Sequence, residues 1–265
     1  MHASGGDSAS GKMKLKMKEY IYNNWNRAYY ELQSDEDTLD YYHSLYVELE
    51  DNPSKKDIEV LKKIGKPKDW ARYAFETGKQ FCVCQLDERN HIIAYFENSD
   101  HKIASESFTV YFLDAKGRVY MHYSFSHTDY LARYNIEIPK DKVGYYFLTQ
   151  LSFWEYLSDE MEEDEDGNID DSYSFAWEYN FLPDGILTVE KTPSYNSYET
   201  SEIEKEVWTV ENPINVSKNW QKKPLFGEWD DIFELKRWDE GELGSVSDFR
   251  FPLTTKTTEM PKSNI

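Results

Sequence analysis

A chain of 265 residues with 50 Asp or Glu against 30 Lys or Arg carries a formal charge of −20, which argues against nucleic acid or an anionic membrane as partner, since both are held by cationic side chains. Aromatics make up 16% of it, as 21 Tyr, 14 Phe and 8 Trp, a share that disordered chains lack, so most of the sequence is expected to fold around a substantial core. Only Cys82 and Cys84 occur; no apolar run reaches the length of a membrane span and no signal-like core follows Lys12 to Lys18, so a reducing, cytoplasmic setting is expected.

In chain order, residues 1–12 read as a flexible leader or tag, with Met13 a natural start. Residues 13–78 read as helical. Ile21, Trp25, Ala28 and Leu32 recur at helical spacing and predict a first helix. Ser34, with Asp37 three residues on, caps a second, whose apolar face is Leu39, Tyr42, Tyr46 and Leu49; Asn52-Pro53 stops it. Ser54 opens a third through Ile58 and Leu61, and a fourth around Trp70 to Phe75 ends at Gly78.

From Phe81 the period changes to two. Phe81 to Leu86 and His91 to Phe96 flank a polar turn, as do Phe108 to Leu113 and Val119 to Phe125, and each pair predicts a hairpin. Gly144 to Tyr156 reads as strand at its start, with a helical continuation as the alternative. Ser174 to Phe181 places Phe175, Trp177, Tyr179 and Phe181 on one face and turns at Pro183-Asp184-Gly185 into another strand. Glu206 to Val210 is a further strand, Trp229 to Trp238 a last element, and residues 253–265 a loose tail. Strands joined by short turns must be antiparallel, so the expected fold is α+β: N-terminal helices, then a twisted antiparallel β meander over residues 79–252, forming one unit with the helices.

Charge is unevenly spread. Residues 143–190 contain no Lys or Arg and thirteen Asp or Glu. The densest part is framed by aromatics, so the expected partner-binding residues are Trp154, Tyr156, Asp159, Glu162, Glu163, Asp164, Glu165, Asp166, Asp170, Asp171 and Tyr173. Carboxylates steer a basic protein toward the surface and aromatics anchor it. A calcium loop centred on Gly167 would use Glu162, Asp164, Asp166 and Asn168, but it lacks Asp at the first position and Glu at the twelfth, and its exit segment alternates as a strand where an EF-hand needs a helix. His122, Ser124, Ser126, His127 and Asp129 cluster in sequence without a nucleophile elbow or an oxyanion hole. No phosphate-binding glycine loop and no zinc motif occurs. No catalytic residue, metal or cofactor is therefore expected.

The strings Phe181-Leu182-Pro183-Asp184-Gly185 and Pro224-Leu225-Phe226-Gly227-Glu228-Trp229, together with the acidic balance, resemble the immunity proteins of bacterial toxin systems. That resemblance implies a non-enzymatic, stoichiometric inhibitor of a cognate basic toxin or enzyme acting on an anionic substrate; the family is structurally diverse and lends no residue assignments. Two other classes compete with it. One is a scaffold or assembly protein whose acidic loop is merely solvated. The other is a carbohydrate-binding or carbohydrate-hydrolysing protein, in which exposed aromatics stack on sugar rings.

Overall fold

The two-residue alternation that begins near Phe81 becomes one large antiparallel sheet. The structure is a computed structural model that describes residues 19–26, 29–50, 52–98, 107–133, 135–156, 162–163, 169–170, 173–193, 205–233 and 253–259. Its elements run β1 (Tyr20–Ile21), β2 (Trp25–Asn26), β3 (Glu31–Leu32), α1 (Asp35–His43, prolonged by a π-helical turn over Ser44–Glu48), α2 (Lys55–Leu61), α3 (Pro67–Thr77), β4 (Cys82–Leu86), β5 (Ile92–Asn98), β6 (Ser107–Leu113), β7 (Val119–His127) and α4 (Thr128–Arg133). They continue as β8 (Tyr145–Tyr156), β9 (Glu162–Glu163), β10 (Ile169–Asp170), β11 (Tyr173–Phe181), β12 (Leu187–Pro193), β13 (Lys205–Val210), β14 (Trp220–Lys222) and β15 (Leu253–Glu259). The sheet order is β1-β4-β5-β6-β7-β8-β11-β12-β13-β15. Strand β14 pairs with the start of β8 at Tyr145–Phe147, and β11 pairs with the rest of that strand. The fold is α+β, mostly β, with α1–α3 in the N-terminal half.

The predicted start of α1 at Ser34 and the predicted end of α3 at Gly78 operate as read. Ser34 Oγ accepts from the Asp37 amide at 3.1 Å and starts α1. Pro67 occupies the first turn of α3, and Gly78, at φ 71°, ends it in the left-handed region that a β-carbon disfavours.

Three expectations are corrected. The segment carrying Ile21, Trp25 and Leu32 is not a helix: it is β1 and the β2–β3 hairpin. Asn23, Asn24 and Asn26 are weak helix formers, and Tyr20 and Ile21 gain more by pairing with Gln85 and Cys84 at the bare edge of β4. Strand β8 continues without a helix to Tyr156, because β7 and β11 hydrogen-bond along its distal half. Leu253–Glu259 is not loose: its Thr-rich run is a strand laid along β13, as β-branched residues favour. Of the predicted last element, residues 229–233 form turns and residues 234–238 lie outside the described residues.

The sheet has a thick side and a thin one. On the thick side Phe96, Val110, Tyr123, Leu151, Tyr179 and Val189 are buried in the main core with Trp70 of α3 and with Trp229 and Ile232 of the segment after β14. Hydrogen bonds fasten the helices to the entry of β4: Trp70 Nε1 donates to Gln80 O (3.1 Å), the Gln80 amide to Tyr46 Oη (2.7 Å), and the Cys82 amide to Tyr42 Oη (3.1 Å). Gly185, at φ 91°, turns β11 into β12 against the Ile214 carbonyl, which a β-carbon would meet at 2.6 Å. No side chain fits there.

Helices α2 and α3 are joined by a buried carboxylate. Asp57 accepts from Tyr73 Oη at 2.5 Å and pairs with Lys79 Nζ at 2.9 Å. Burial first, then the hydrogen bond to Asp57, pushes the Tyr73 phenol up to about 12. A phenol that ionises later in the folded than in the unfolded chain contributes stability in full below the unfolded value near 10, and that contribution is lost as pH rises toward 12. Urea midpoints measured from pH 9 upward are expected to fall less steeply for Tyr73→Phe than for the native chain; equal slopes would show that this phenol is not a source of the loss.

Candidate functional site

The acidic segment connects two neighbouring strands. Strands β8 and β11 pair from Gln150–Asn180 to Tyr156–Tyr173, with a bulge between Tyr173 and Phe175. Within the connection a second ladder forms, Glu162 opposite Asp170 and Glu163 opposite Ile169. Of the predicted partner-binding residues, Glu162, Glu163, Asp170 and Tyr173 therefore sit in strands; Asp159, Asp164, Glu165, Asp166 and Asp171 lie outside the described residues. The calcium-loop reading falls largely there too, and its exit segment is strand β11.

The two aromatics at the base of this hairpin are committed to the fold. Tyr156 donates to Val119 O at 2.6 Å, and its ring lies 4.2 Å beneath the guanidinium of Arg118, which is itself buried and bonded through Nε to Asp114 at 2.8 Å. Trp154 is half-buried, its ring 5.0 Å from that of His122. Neither is a loose anchor; they fix the root of the acidic hairpin.

His122 belongs to a row crossing the thin side of the sheet, in which Cys84, Tyr95, Tyr111, His122, Ser152, Glu178 and Glu190 face one another on successive strands. Tyr95 stacks on Tyr111 at 4.6 Å, and Tyr111 meets His122 edge-on at 5.8 Å. Ser124 lies against Thr109 and Ser126 against Thr149, each at 3.4 Å, while His127 Nδ1 accepts from the Asp129 amide at 3.2 Å. Strand alternation puts His122 and His127 on opposite faces, so this cluster in sequence does not converge in space.

At the other end of the row is a cavity of about 380 Å³ between the β2–β3 hairpin, α1 and the ends of β4 and β5, lined by Trp25, Gln33, Tyr41, Cys82, Tyr95 and Glu97. Trp25 closes one side by seating its ring on the β6–β7 turn, where Gly117, at φ 84°, leaves room that a β-carbon would narrow to 3.3 Å. Glu97 Oε1 accepts from Gln80 Nε2 at 2.6 Å. Burial, then the Glu97 charge, raises the Tyr41 phenol. The contact with Cys84, with sulfurs 3.9 Å apart, and then burial hold the Cys82 thiol well above its ordinary value, so the wall is uncharged at neutral pH except for the carboxylate. The sequence reading missed these residues. Strand alternation puts Cys82 and Cys84 on one face, but nothing local places Glu97 opposite Cys82 or brings the β2–β3 hairpin over them.

Comparison with protein-family models, with curated proteins and with solved structures found no match. Among the described residues no helix is long and apolar enough to cross a membrane, and no group of three His, Cys, Asp or Glu side chains is placed to hold a metal ion.

Proposed function

We propose that this chain is a non-enzymatic, stoichiometric inhibitor of a basic protein, of the kind that immunity proteins are toward their toxins, and that the β8–β11 hairpin steers the partner onto it. The observation that carries this reading is the concentration of charge on one connection: the chain has no Lys or Arg from residue 143 to 190, and its carboxylates cluster in sequence between two paired strands, β8 and β11, with Glu162–Glu163 and Ile169–Asp170 forming a separate short ladder. A dense run of carboxylates gives a strong local field, which accelerates association and competes for the Lys and Arg that would hold an anionic substrate. Two buried free thiols suit a reducing compartment.

The test is a pulldown from the source cell's lysate at low salt, eluted with a salt gradient, followed by kinetics on the captured protein. One basic protein is expected, bound at equal stoichiometry and inhibited in its own activity. Substituting Glu163, Asp164, Glu165 and Asp166 together with Ser should leave the unfolding midpoint unchanged and slow association by about tenfold or more at low ionic strength. An unchanged association rate removes the hairpin's role.

A further inference from the structure

Cys82 and Cys84 are the only cysteines of the chain, and their sulfurs lie 3.9 Å apart on one face of β4. They belong to a small cluster, apart from the main core, with Tyr95, Leu113 and Val119; Ile21 and Trp25 pack against it. Residues two apart on a strand are separated by about 6.8 Å, whereas a disulfide needs its β-carbons about 3.5–4.5 Å apart. While β4 stays paired with β1 and β5, the two thiols cannot join. One metal ion bridging two thiolates asks much less. It needs sulfurs separated by about twice a metal–thiolate bond of about 2.3 Å, a widening of roughly 0.7 Å. Small side-chain rotations supply that.

We propose that Cys82 and Cys84 form a two-coordinate site for a soft monovalent cation, copper(I). Soft thiolates select copper(I). Zinc closes a tetrahedron of four ligands, and among the described residues no third His, Cys, Asp or Glu joins the pair. On binding, two S–H bonds break, two S–Cu bonds form and two protons leave to solvent; the copper stays Cu(I), so no oxidant or reductant is consumed. A coordinated thiol gives up its proton outright. The contact with Cys84 and then burial keep the Cys82 thiol protonated, while the Trp25 amide favours the charged sulfur. The bridged pair carries one negative charge where two bare thiolates would carry two, so the metal offsets much of that penalty. Cys84 is fully buried and Cys82 is 5% exposed, so the ion enters when the roof over them lifts. That roof is β1 and the β2–β3 hairpin, strands of two residues each, with the Cys84 thiol donating to Asn23 O at 3.4 Å. Elements with so few backbone bonds open locally without global unfolding.

This proposal does not depend on the acidic hairpin, and a metal titration tests it separately. The reduced full chain is titrated under argon with tetrakis(acetonitrile)copper(I), in competition with the chelator bathocuproine disulfonate. One copper per chain is expected to leave the chelator, with ultraviolet thiolate-to-copper absorption rising in step. In weak buffer, a pH indicator should report two protons released per copper. Cys82→Ala and Cys84→Ala should each weaken uptake by about a hundredfold or more, beyond what losing a supporting residue costs. Cys82→Val and Cys84→Val repeat the test where an alanine variant does not fold, as judged by circular dichroism. Equimolar zinc should leave the uptake unchanged, and the variant with four Ser substitutions in the hairpin should take up copper as the native chain does. Copper that stays with the chelator, uptake retained in a folded Cys82 or Cys84 variant, or uptake without proton release overturns the proposal.

Discussion

Trp229→Ala is expected to lower the unfolding free energy by about 3–5 kcal/mol, the range for truncating a buried aromatic. Trp229 is fully buried, and its ring meets Phe75 of α3, Phe81 and Phe96 at the β4–β5 end of the sheet, and Phe226, with centroids 5.6 to 6.0 Å apart. Its indole donates to Tyr22 Oη at 3.3 Å. One side chain thus joins the segment after β14 to a helix, to the sheet and to the strand-forming N-terminus, so the cavity it leaves has walls on several elements that cannot all collapse. Trp229→Phe keeps most of the contact and should cost about 1–2 kcal/mol, for the lost bond and the smaller ring. Urea denaturation monitored by far-ultraviolet circular dichroism measures both; with the slope unchanged, the midpoint shift reports stability alone. A loss below about 1 kcal/mol for the alanine variant would mean that this segment is not part of the cooperative core.

Asp57→Ala is expected to cost about 2–4 kcal/mol, because breaking a buried pair from one side leaves the other charge poorly solvated. Lys79, whose side chain is 22% exposed, would lose the carboxylate at 2.9 Å, and Tyr73 would lose the acceptor at 2.5 Å. The partial exposure of Lys79 keeps the expected cost below that of a fully enclosed pair. Asp57→Asn retains an oxygen for Tyr73 and should lose roughly half as much. Changing both partners, Asp57→Leu with Lys79→Met, should recover most of the loss, since an apolar replacement removes the desolvation cost together with the attraction. A double variant no more stable than Asp57→Ala would show that the carboxylate contributes something beyond its pair, such as the geometry it imposes on α2 and α3.

The sequence makes some of this architecture legible and hides the rest for identifiable reasons. Ser34 and Gly78 act within one turn of their own positions, so the start of α1 and the end of α3 follow from them. The alternation of Phe175, Trp177, Tyr179 and Phe181 requires only a pleated strand, and β11 is a strand in which Trp177, Tyr179 and Phe181 are buried. Ile21, Trp25 and Leu32 misled because helical spacing over a short span is also met by a strand and a hairpin, and the edge of β4 decided between them. The acidic connection was plain from its composition, but the packing of Trp154 and Tyr156 at its root was not, since Arg118, Val119 and His122 lie more than thirty residues earlier in the chain.

By itself, then, the sequence determined the α+β class, the hairpin pairs, the start of α1 and the end of α3, and the segment where negative charge collects, because each depends on neighbours a few residues away. Tertiary structure alone decided the β1–β4 and β13–β15 edges and the cavity beneath Trp25. Those depend on cross-strand register and on a hairpin folding over residues some sixty positions later, and a contact of that kind is fixed by the competition among all surfaces of the chain for burial, which no local pattern encodes.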